Sequence, residues 1–127
     1  MRIRPIAIST AIAVALTTAL PALAATPTFR GSVGPGFTIS MAKKPTKPGT
    51  IVLVISDRGS SHNFHLRGPG DREIKGVDTR TGKAVSRIAT SVSGTGTRSF
   101  RLTLRAGKYT FVCDPHASSM KGSFTVR

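Results

Sequence analysis

The chain contains one cysteine, Cys113, in the run Tyr109-Thr110-Phe111-Val112-Cys113-Asp114-Pro115-His116-Ala117-Ser118-Ser119-Met120. A thiolate, an imidazole and a thioether therefore stand on one short loop behind an apolar stretch. A further imidazole is offered upstream by His62, in Ser61-His62-Asn63-Phe64-His65. Two imidazoles, a thiolate and a weak axial thioether form a donor set that suits copper in one-electron centres. Singly, each residue has a plainer reading. Cys113 could be a buried core thiol, His116 a turn residue, His62 a surface histidine capping a strand, and Met120 a core filler. Their joint occurrence favours a metal site, with one copper ion per chain as the expected cofactor.

Such donors need a rigid support, and the surrounding residues read as strands. Tyr109, Phe111 and Cys113 share an inward face, so the thiol ends a strand pointing into the core. Pro115 stiffens the loop, and Lys121-Gly122 releases the chain into a last strand in which Phe124 and Val126 alternate with Ser123, Thr125 and Arg127. Upstream, Phe100, Leu102 and Leu104 alternate with Arg101, Thr103 and Arg105. Residues 51–55, all β-branched or Leu, read as a central strand buried on both faces. Phe37, Ile39 and Met41 suggest a half-buried strand, and residues 26–36 an irregular edge segment. His62, Phe64 and Leu66 fall on one strand face, Asn63 and His65 on the other. This sets His62 inward at the mouth of the core and turns the rival donor His65 away from the metal. Met41 is a rival axial donor that its spacing does not support.

Residues 68–96 show little periodicity; Val85, Ile88 and Val92 fit either a weak strand or one helical turn. No segment reads as a convincing helix, and no repeat or second domain is visible. Short strands separated by Gly and Pro point to an all-β fold, a single-domain Greek-key β-sandwich over residues 25–127.

Residues 1–24 read separately, as a cleaved signal peptide: Arg2 and Arg4, an apolar run over 6–20, then the small-x-small pattern Ala22-Leu23-Ala24. That run is shorter than a spanning helix needs. Export makes an unpaired cysteine unusual, because exported proteins pair theirs; a metal bond would account for it. Removing Arg2 and Arg4 lowers the formal net charge from +14 to +12, which still favours acidic partners. Nucleic acid fits poorly, since the positives are scattered and the aromatic residues sit at positions that read as core.

The run from Gly107 through His116 followed by Met120, together with Ser61-His62-Asn63-Phe64, resembles the two ligand motifs of small cupredoxins of the plastocyanin/azurin type. The resemblance implies an eight-stranded Greek-key sandwich with one type 1 copper. It implies His62, Cys113 and His116 as equatorial ligands and Met120 as the axial one. It gives Asn63 the role of tying the first ligand loop to the cysteine loop, and makes the histidine matching His116 the route by which electrons leave. Asp114 departs from the family, standing where a small hydroxyl residue is common.

The expected function is that of an exported, periplasmic or secreted one-electron carrier, monomeric and without enzymatic activity. Copper scavenging, storage or delivery through the same site is the alternative. Oxidase or nitrite reductase chemistry needs further clustered histidines, and the chain has three in all.

Overall fold

The computed structural model describes residues 19–127. The leader read over residues 1–24 lies mostly outside them. The first strand, β1 (Thr28–Val33), occupies part of the stretch expected to be irregular. It pairs in parallel with β3 (Gly49–Asp57) and antiparallel with β2 (Ile39–Met41). β1 is therefore not an edge; the three-residue β2 is. Such pairing comes from a partner some twenty residues away in the sequence, beyond the reach of local periodicity.

In β3, Ile51, Leu53 and Ile55 are buried while Val52 and Val54 are half-buried. The strand thus has one core face and one partly covered face, rather than the two buried faces its composition suggested. β4 (His65–Gly68) begins later than the alternation predicts, because His62, Asn63 and Phe64 lie in the loop before it. The weakly patterned stretch forms four short strands: β5 (Arg72–Glu73), β6 (Gly76–Asp78), β7 (Ala84–Val85) and β8 (Ile88–Ala89). The long strand β9 (Gly96–Leu104), then β10 (Gly107–Val112) and β11 (Lys121–Val126) complete the chain.

Two sheets result. One runs β2-β1-β3-β9-β6-β7; the other runs β11-β10-β4-β5, with β8 also on β4. Ile51, Leu53 and Ile55 of the first sheet meet Leu66, Tyr109, Phe111 and Phe124 of the second in one continuous core. Two aromatic pairs are stacked inside it, Phe64 on Phe111 at 5.4 Å and Tyr109 on Phe124 at 5.1 Å between ring centroids. The single-domain, all-β sandwich expected from the sequence is the fold observed. Among the described residues the one helical element is a 3-10 turn, Asp114–His116. None of their helices is long and apolar enough to cross a membrane.

Gly122 shows how closely the second sheet is packed. A Cβ there would fall 2.2 Å from the Phe111 ring, so only glycine lets β11 cross that ring at its present height.

Candidate metal centre

At one end of the sandwich three chain segments meet. β10 ends at Val112 and delivers Cys113, fully buried, to the edge of the core. Pro115 then sits in the first positions of the 3-10 turn, where its missing N–H costs nothing. The loop closes on itself: His116 N–H donates to the Cys113 carbonyl (3.0 Å), Met120 N–H to the His116 carbonyl (2.8 Å), and Cys113 N–H to the Met120 carbonyl (3.0 Å). Backbone bonds of this kind fix the separation between Cys113, His116 and Met120. Met120 is buried in the common core cluster.

The second segment is the loop from β3 to β4. His62 N–H donates to the Gly59 carbonyl at 3.0 Å, and Gly59 N–H donates to the Asp57 carboxylate at 3.2 Å. A Cβ at Gly59 would lie 2.7 Å from His62 Cδ2, so the absence of a side chain there is what gives the imidazole its place. The third segment is the loop from β1 to β2. Gly34, at φ +68°, backs against the Gly59 main chain, and Arg58 N–H donates to the Val33 carbonyl at 2.9 Å. This contact brings Phe37 over the site.

The side chains converge. His62 Nδ1 and His116 Nδ1 are 3.1 Å apart, and each is 3.6 Å from Cys113 Sγ. The centre of that triangle lies about 2 Å from each corner, close to the length of a first-row metal–imidazole bond. A neutral imidazole with its proton on Nε2 presents Nδ1 as a lone pair, and a thiol supplies its sulfur as thiolate when a metal takes it. The three residues therefore fit a copper ion in both chemistry and size. Among the described residues this is the one cluster of at least three His, Cys, Asp or Glu groups that could hold a metal ion.

Around the donors lies a polar tie between the two ligand loops. Asn63 Nδ2 donates to Asp114 Oδ2 and Asp114 N–H donates to Asn63 Oδ1, both at 2.7 Å. Burial alone would push the Asp114 carboxyl up. The hydrogen bonds from Asn63 and His65, with the charges of His65 and Arg87, outweigh it and hold the group below its ordinary value of 3.8.

Two residues stand differently from their sequence reading. His65 keeps apart from the three donors, as strand alternation implied, but it does not face solvent. It is 2% exposed, with Nδ1 3.0 Å from Asp114 Oδ1 and Nε2 2.8 Å from Glu73 Oε2. The face it occupies is covered by β5 and by the cysteine loop, neither of which local periodicity reveals. Phe37, expected in a strand and in the core, lies before β2 and is 70% exposed. Its ring meets His62 and His116 edge-on, at 5.2 Å and 4.9 Å between centroids. The signal for it was the preceding Gly34-Pro35-Gly36, which marks a turn and breaks the alternation before Ile39.

Comparison with known proteins agrees with this geometry. The profile of the family described as copper binding proteins, plastocyanin/azurin family, matches residues 35–127. Among solved structures the chain is similar to auracyanin A, a "blue" copper protein from the green thermophilic photosynthetic bacterium Chloroflexus aurantiacus. Identity is 16% and TM-score 0.54, over 81% of this chain and 100% of that one. Reduced auracyanin from the photosynthetic bacterium Roseiflexus castenholzii matches at 22% identity and TM-score 0.50, over 82% of this chain and 99% of that one. These likenesses speak to the fold. No curated protein sequence matches the chain. The family match spans well over half the chain and takes in both ligand loops, and the protein belongs to the plastocyanin/azurin family of copper-binding proteins.

Proposed function

We propose that this protein is an exported type 1 (blue) copper protein that carries single electrons between redox proteins. The observation that carries the reading is the convergence of His62 Nδ1, His116 Nδ1 and Cys113 Sγ within 3.6 Å of one another at one end of a rigid sandwich. His62, Cys113, His116 and Met120 would hold one copper ion, through two imidazoles, a thiolate and a weakly donating thioether. Copper so bound supplies one-electron exchange with little rearrangement.

The chain's own residues do the rest. The backbone bonds between Cys113, His116 and Met120 hold the loop in one geometry, and Asn63 keeps the His62 loop against it through Asp114. Phe37 meets the partly exposed His116 ring edge-on and gives a partner an apolar contact at the ring through which the electron passes. Arg58, Arg87 and Lys121 are exposed in or beside these segments, which suits an acidic partner whose association weakens as salt rises. The third histidine is tied to two carboxylates rather than free for a further metal, and this supports a carrier over an enzyme. Residues 1–24 serve as a cleaved export signal, leaving 25–127 as a monomeric periplasmic or secreted domain.

Adding Cu(II) to the metal-free protein is the test. An intense visible sulfur-to-copper band, lost in Cys113→Ser, is the expected result; a colourless adduct overturns the reading. Transfer of bound copper to a chelator faster than its reduction would assign the site to copper handling instead.

A further inference from the structure

The loop Lys43-Lys44-Pro45-Thr46-Lys47-Pro48 between β2 and β3 carries three cations for which the metal centre has no use. It runs past an open stretch of sheet edge. β2 pairs with β1 only at residues 31–33, so among the described residues no strand lies beside Thr28, Phe29 and Arg30 on that side. Loop and edge enclose a cleft of about 420 Å³, lined by Phe29, Pro48 and Ile51 and by all three lysines. The loop is held in place. Pro45 is buried, Arg127 N–H donates to the Thr46 carbonyl at 2.9 Å, and the Lys44 ammonium stands 5.9 Å from the centroid of the Phe111 ring. A wall fixed in this way loses little freedom when something binds against it.

The charge in the lining narrows what that could be. The clefts beside Arg72 and Arg87 include carboxylates of their own, Glu73 and Asp114, whereas the lysine cleft includes none. Apolar surface bordered by unopposed cations suits a group that is apolar at its centre and anionic around it. A concave surface takes a side chain that projects; a bilayer is met by apolar residues that themselves project. A second copy of this basic chain would bring like charges together. We infer that the cleft is a docking site for an acidic segment of a partner protein. An apolar side chain of that segment seats against Phe29 and Ile51, and its flanking carboxylates meet Lys43, Lys44 and Lys47. Phe29 stands level with Leu53 and Val33 with Asp57, which sets the cleft about 13 Å down the sheet from the start of the His62 loop. The contact therefore lies apart from the metal end and holds whether or not copper is bound.

Amide NMR of the folded full chain at low salt tests it, with the end-blocked peptide Glu-Glu-Phe-Glu-Glu as probe. Shifts are expected to gather at residues 27–29 and 43–51. Serine in place of the peptide's phenylalanine is expected to weaken binding about tenfold. The double variant Lys43→Glu/Lys47→Glu is expected to weaken it about tenfold as well, with the rest of the amide spectrum unchanged. The peptide comparison uses the native chain and stands even if that variant misfolds. No binding, equal binding of the serine peptide, or shifts scattered over the whole basic surface overturns the site. Vesicles containing phosphatidylglycerol that move the same amides more than the peptide does assign the cleft to a membrane and overturn the protein partner. Shifts at these residues that grow with protein concentration alone overturn it in favour of a second copy.

Discussion

The two ends of the sandwich are closed by different means. At the metal end the ties are polar and long-range: Asn63 and His65 reach Asp114 across 51 and 49 residues of chain. At the other end they are local. The Tyr109 hydroxyl accepts from Arg105 N–H at 2.9 Å and donates to the Arg105 carbonyl at 3.0 Å, four residues away, while its ring stacks on Phe124. The far end seals a hairpin onto the core; the near end holds separate loops in register around three donor atoms. Stability and site geometry should therefore separate under mutation.

The largest expected effect lies at the far end. Tyr109→Ala removes a buried ring from the core and should cost about 3–5 kcal/mol, read from urea unfolding. The visible spectrum of the folded copper form should not change; a shifted band would show that the ends are coupled after all. Asn63→Ala strikes the near end. Loss of a group that orients ligand loops should weaken copper binding about 10–100-fold, measured by chelator competition. The copper-free protein should lose only about 1–2 kcal/mol. Equal losses in both would break the distinction.

A third test uses a pair outside the ligand loops. Asp78 is buried at the end of β6 and bonded to Arg98 at 2.8 Å. Burial would raise its carboxyl, but backbone N–H groups of Thr81 and Arg80 and the Arg98 guanidinium together hold it below 3.8. A depressed folded value means stability that is present above the unfolded value and lost as pH falls through the folded one. Asp78→Asn should therefore flatten the loss of stability below about pH 4, in urea midpoints taken across that range. An unchanged acid slope would refute this. The smallest change in stability is expected from Phe37→Ala, within about 0.5 kcal/mol because the ring is exposed. The same substitution should quicken removal of copper by a small chelator, since the ring covers both imidazoles. An unaltered removal rate would assign Phe37 no covering role.

The sequence made the cysteine loop and the long alternating strands legible because both signals are local. Cys113, His116 and Met120 lie within one loop, and Phe100, Leu102 and Leu104 alternate cleanly. What it concealed depends on distant partners. β1 is held by β3, and Arg72–Glu73 and Ala84–Val85 are too short to show any period. His65 read only as turned away from the metal, because its covering carboxylates, Glu73 and Asp114, come from elsewhere in the chain. Phe37 looked buried because its apolar character was read as core rather than as a cover for two imidazoles.

The five carboxylates of the chain carry one last consequence. Asp57 is buried; Asp71 pairs with Arg67, Asp78 with Arg98, and Glu73 and Asp114 with His65. Asp71, Glu73 and Asp114 are exposed but already paired, so the charge left for solvent is overwhelmingly cationic. Charge scattered in this way attracts an acidic surface from any direction without turning the molecule to face it. Orientation is then left to short-range shape, where the exposed Phe37 ring meets the His116 ring edge-on.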